Sequence, residues 1–211
     1  MEGKMGIKNI INKIKKEVEV IKGEETKDKV YSNANTFADD ATAKQEFERA
    51  KAKLFDVNAW TKLSGINSTF ELYDIRGIQS NAKRIETGYY IKIILPASTM
   101  DNWVQIAAMQ DTDNLAEFIV HPSEKPKQLT ENEEEVKHFF IKEASSTFRV
   151  TREGNTITGY EIGKNEGINN QDEEAGDSAL LNTLVAEGGW ALFQELQWEK
   201  LTKYLVHLEE V

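Results

Sequence analysis

Hydrophobic and polar residues alternate most regularly in the stretch from His138 to Gly163, HFFIKEASSTFRVTREGNTITGYEIG. Phe148 and Val150 alternate with Arg149 and Thr151, and Thr156, Thr158, Tyr160 and Ile162 repeat the period of two beyond a glycine, which predicts a β-hairpin. A three-residue loop, Glu153-Gly154-Asn155, would set Phe148 opposite Tyr160 and Val150 opposite Thr158 on one face. A two-residue Gly154-Asn155 turn shifts the register by one and splits that apolar face, so the longer loop is expected.

The same period marks four earlier strands. They are STFELYDIRG with a turn at Arg76-Gly77, GYYIKIILPA stopped by Pro96, NWVQIAAMQD, and AEFIVHPSEKP stopped by Pro122. Helical spacing appears three times. Ile7, Ile10, Ile11, Ile14, Val18 and Ile21 form a stripe on an otherwise charged segment. Ala43, Phe47, Ala50 and Leu54 line one face of ATAKQEFERAKAKLF, after capping residues between Thr36 and Asp40. A third stripe begins at Leu181, with Asp177 as N-cap, and runs through Trp190, Phe193 and Leu201 to Leu208, a helix of roughly thirty residues, about 45 Å long.

Gly188 and Gly189 interrupt that last helix. Two interior glycines cost about 1 kcal/mol each against alanine, so they are expected to face the sheet, where a side chain would push helix and strands apart; the alternative is a kink or break of the helix there. Between the first two helices, Gly23, the run EETKDK and the asparagines Asn33 and Asn35 read as a linker. The expected organisation is an amphipathic helix and linker over 1–34 and an α+β domain over 35–211. In that domain a meandering antiparallel sheet is covered by the long C-terminal helix.

A sheet wrapped around a C-terminal helix resembles the helix-grip arrangement of START and polyketide-cyclase-like proteins in element order. It departs from that order because no clear strand precedes the first helices. The segments TFELYDIRG, GYYIKIILPA, KHFF, SSTFRVTREGNTITGYEIGKNEGIN and QWEKL resemble an uncharacterised family of bacterial proteins over roughly residues 55–208. That resemblance implies no activity and assigns no catalytic residue.

Composition narrows the possible chemistry. The chain has 211 residues, no cysteine and a formal net charge of −10, which excludes thiolate chemistry and disulfides and opposes binding to a phosphate backbone. No apolar run has the length of a membrane span, and the N-terminus lacks a continuous apolar signal core, so a cytoplasmic protein is expected. Lys4, Lys8, Lys13, Lys15 and Lys16 make the first helix basic. The stripe at Ile7, Ile10, Ile11, Ile14 and Val18 is then expected to meet a protein partner or a copy of itself, with a membrane disfavoured because no Trp or Phe anchors it.

The polar group nearest to a site is Lys164 and Glu166, on a loop leaving the hairpin, with Arg149, Arg152 and Tyr160 on its strands and His138 at its origin. A lysine, a histidine and a carboxylate can do acid–base work if they converge, although solvated turn residues would show the same pattern. His121, His138 and His207 share no metal-ligand spacing, Glu131 to Glu135 lack the glycine of a calcium loop, and no glycine-rich phosphate cradle occurs. No metal, cofactor or catalytic residue is expected. Trp60, Trp103, Trp190 and Trp198 suit either a ligand cavity or a core. The expected function is a non-enzymatic binding or assembly protein; the alternative is a small-molecule-binding domain or enzyme with an apolar cavity between sheet and C-terminal helix.

Overall fold

The computed structural model describes residues 27–63, 68–94, 101–126, 144–166 and 189–211. The isoleucine stripe, His138, the acidic run from Glu131 to Glu135, and Gly188 lie outside them. In chain order the elements are β1 (Lys27–Thr36), α1 (Asp40–Phe55), α2 (Val57–Trp60), β2 (Thr69–Tyr73), β3 (Tyr90–Ile94), β4 (Asp101–Asp111), β5 (Leu115–Pro122), β6 (Ser145–Glu153), β7 (Thr156–Glu166) and α3 (Gly189–Leu205).

The seven strands form one antiparallel sheet in the order β1-β7-β6-β5-β4-β3-β2. From β1 on one edge the chain crosses to the other through α1 and α2, and meanders back until β7 pairs with β1. All three helices lie against the face bearing Phe70, Leu72, Ile91, Ile106, Phe118, Phe148 and Val150, which are buried at alternate strand positions. Among the described residues no helix is long and apolar enough to cross a membrane.

Local chemistry explains α1. Asp39 has an extended backbone, and its Oδ1 accepts from the Thr42 N–H at 2.7 Å, satisfying one of the donors a helix start leaves open. That bond also holds the Asp39 carboxyl below its ordinary pKa. Ala43, Phe47, Ala50 and Leu54 are fully buried, as the stripe requires. Trp60 ends α2 and donates from Nε1 to the Lys53 carbonyl at 3.0 Å, fixing its ring beneath the sheet.

Three expectations change. Residues 27–34 are not linker, because Lys27–Thr36 pairs with β7 along its length. This strand escaped the pattern because, beside Tyr31, two of its inward positions are asparagines that α3 satisfies: Asn33 Nδ2 donates to Thr202 Oγ1 at 2.9 Å, and Asn35 Nδ2 to the Val206 carbonyl at 2.8 Å. Among the described residues a strand therefore precedes the first helix, α1.

The hairpin register also differs. Glu153 pairs with Thr156, so the turn is the two-residue Gly154-Asn155, with Gly154 at φ 57 supplying the left-handed first position such a turn needs. Phe148 lies opposite Glu161 and Val150 opposite Gly159, while Thr158 and Tyr160 face away. The inner face of β7 is Ile157, Gly159, Glu161 and Gly163, all buried. Finally, Lys164 to Glu166 are the end of β7, not a loop, with Glu166 opposite Lys27.

At Gly159 helix and sheet come into close contact. A Cβ there would stand 3.1 Å from the Thr202 carbonyl oxygen, 3.2 Å from Val206 Cγ1 and 3.3 Å from Leu205 Cβ. Close approach was expected of the helix glycines. Of those, Gly188 lies outside the described residues and Gly189 is the first described residue of α3; the glycine described beneath the helix belongs to the strand.

Candidate binding cavity

Inward side chains of β2 to β6 leave a space that α2 and α3 cover. Its wall combines Trp60 of α2, Trp198 of α3, and Phe70, Ile91, Ile93, Val104, Val120 and Phe148 from the strands, with Pro122, Ala144, Ser145 and Ser146 at one end. About 60 Å³ is open to the centre of a water molecule, several times the roughly 10–15 Å³ that one water needs. Empty space including the mouth is about 590 Å³. No charged side chain lines it among the described residues.

The wall is held by packing and a few buried polar contacts. Trp60 sits 5.6 Å from Phe70 and 5.1 Å from Phe148 between ring centres, and Phe148 sits 5.5 Å from Trp198. Edge and tilted contacts of this kind suit the aromatic quadrupole. Beside Trp198, Gln197 accepts a hydrogen bond from the buried Ser68 hydroxyl, tying α3 to the start of β2. Further along α3, Lys53 Nζ donates to the Tyr204 carbonyl at 3.0 Å and to Glu210 Oε1 at 2.9 Å. Burial lowers the Lys53 pKa despite its carboxylate partner, whereas the Lys53 ammonium lowers that of Glu210.

The residues proposed from sequence do not meet in this cavity. Arg149 and Tyr160 are register partners, and Arg149 Nε donates to Glu117 Oε2 at 2.6 Å, a cross-strand ion pair on the face away from Phe148. Arg152 lies at the hairpin end, donating to Asp40, to the Gly154 carbonyl at 3.0 Å and to Asn114 Oδ1 at 2.7 Å. It joins the hairpin, the β4–β5 turn and the start of α1. Lys164 is exposed opposite Ser145, Glu166 stands at the last position of β7, and His138 is outside the described residues.

Of the four tryptophans, Trp60 and Trp198 line the cavity. Trp103 packs at 4.8 Å from Tyr73 on the other face. The aliphatic wall was missed because Ile91, Ile93, Val104 and Val120 look like any buried strand positions; their alternation was the available signal. Glu161 was missed too. Its side chain is 0% exposed on the cavity side of the sheet, opposite Phe148.

No family model and no curated protein matches the chain. A hypothetical protein from Helicobacter pylori is similar in structure, with a TM-score of 0.50 at 12% identity over 88% of this chain and 92% of that one. The likeness is one of fold, and it agrees with the expected resemblance to an uncharacterised family. Norcoclaurine synthase from Thalictrum flavum, in complex with dopamine and hydroxybenzaldehyde, reaches a TM-score of 0.42 at 10% identity over 91% of this chain and 94% of that one. Major latex-like protein 151 from Panax ginseng reaches 0.37 at 14% identity over 76% and 96%.

Proposed function

We propose that this chain is a binding protein for a small molecule of largely apolar surface, held between the sheet and α3. The observation that carries the reading is the cavity wall: aromatic and aliphatic side chains from five strands and two helices enclose space for more than one water, with two serines as its polar side chains among the described residues. Largely apolar, concave sites with a few polar groups are the usual form of small-molecule pockets. Acid–base chemistry has less support, because Arg149 and Arg152 are engaged in ion pairs elsewhere and Tyr160 faces away.

Trp60 and Trp198 make the test direct. Titrating the protein with 3,3-dimethylbutan-1-ol and with its trimethylammonium counterpart, choline, should change tryptophan fluorescence and release or absorb heat saturably. Ser146→Phe, which places a ring in the space, should abolish the response while the protein still unfolds cooperatively. No saturable binding of either compound to the wild type overturns the reading.

A further inference from the structure

We propose that the cavity prefers an organic cation, a tertiary or quaternary alkylammonium group, over a neutral or anionic molecule of the same shape; this rests on the ligand-binding reading above. Three observations converge on that charge.

The first is the continuity of the aromatic wall. Phe70, Trp60, Phe148 and Trp198 all line the cavity and touch in that order at 5.1 to 5.6 Å between centres. Aromatic faces carry partial negative charge, and cages of such rings bind methylated ammonium groups. An alkylammonium ion spreads its charge over its methyl groups and fits an apolar enclosure more readily than a compact ion.

The second is the absence of a positive partner. Among the described lining residues no lysine, arginine or histidine occurs, and the polar residues are Ser145 and Ser146. A carboxylate entering this wall would lose its hydration without a counter-charge, which is costly in a dry site.

The third lies beside the wall. The ionisable side chain in register with Phe148 is a carboxyl, Glu161, on the same face of the sheet and fully buried. It has contacts of its own and is not assigned as the ligand's direct partner. A carboxyl adds no positive charge to this side of the sheet and, when ionised, favours a cation over an anion.

Calorimetry and tryptophan fluorescence with three compounds of one shape test the charge alone. They are choline, 3,3-dimethylbutan-1-ol with carbon in place of nitrogen, and 4,4-dimethylpentanoate. Choline should bind about tenfold more tightly than the alcohol, and the carboxylate should bind most weakly. Phe148→Leu, which keeps an apolar wall and removes a ring, should bring choline and the alcohol to within about threefold, mainly by weakening choline. Should Phe148→Leu fail to fold cooperatively, Phe70→Leu serves the same comparison. Equal or tighter binding of the alcohol by the wild type overturns the charge preference and leaves the binding reading standing; binding of neither overturns both.

Discussion

Replacing Gly159 with alanine should destabilise the protein even though its backbone does not demand glycine. Gly159 is absent from the positive-φ residues, so alanine meets no conformational barrier and would gain roughly 0.5–1 kcal/mol over glycine in a strand. Opposing this, the new Cβ would stand 3.1 Å from the Thr202 carbonyl oxygen and 3.3 Å from Leu205 Cβ. Neither atom can swing aside, since one is helix backbone and the other is joined to it. Relief requires α3 to move outward, stretching the bonds from Asn33, Asn35 and Lys53 that hold it.

Overpacking of this kind costs about 1–3 kcal/mol, leaving a net loss of roughly 1–2 kcal/mol after the backbone gain. For a chain of this size each kcal/mol is worth about 2–4 °C in melting temperature. Urea unfolding should show a lower midpoint with an unchanged slope. Adding Val206→Ala removes the 3.2 Å contact to Val206 Cγ1 but not the backbone clash, so it should not restore stability. A Gly159→Ala variant as stable as the wild type would refute the close approach of α3 to β7.

Further tests follow from the same geometry. His207 Nε2 donates to the Glu46 carbonyl at 2.9 Å, and burial lowers its pKa from the ordinary 6.5. The unfolded chain therefore takes up the proton first, and stability should fall as pH drops below about 6.5. His207→Asn, which tolerates the local φ of 64, should flatten urea midpoints between pH 7 and 5; an unchanged slope would refute this. Arg152→Met should cost on the order of 1–2 kcal/mol by severing the hairpin from α1, with choline affinity unchanged by calorimetry; weakened binding at full occupancy of the folded state would return Arg152 to the site. A chain starting at Glu25 should fold, whereas one starting at Asn35 loses most of β1 and should melt well below it by circular dichroism. We also propose that Ile7, Ile10, Ile11, Ile14 and Val18 associate with a partner or a second copy: light scattering should show a larger species for the full chain than for Ile11→Lys, and identical masses would refute self-association.

Much of the architecture was determined by local sequence. The cap at Asp39, the stripe from Ala43 to Leu54 and the alternation in β2 to β5 each act within a few residues, so they could be read without knowing what lies opposite. The cavity was legible only as an alternative, since Trp60 and Trp198 are 138 positions apart and no local pattern says that Phe148 lies between them. Tertiary structure decided the hairpin register. Pairing apolar residues with one another favoured the longer loop, yet the inner face of β7 carries Gly159, because α3 occupies the space that a side chain would fill there. It also decided β1, whose inward asparagines read as linker residues until α3 supplies their hydrogen-bond partners. In both places the residue's meaning was set by contacts with residues more than forty positions away, and the free energy of that contact is not written in the segment itself.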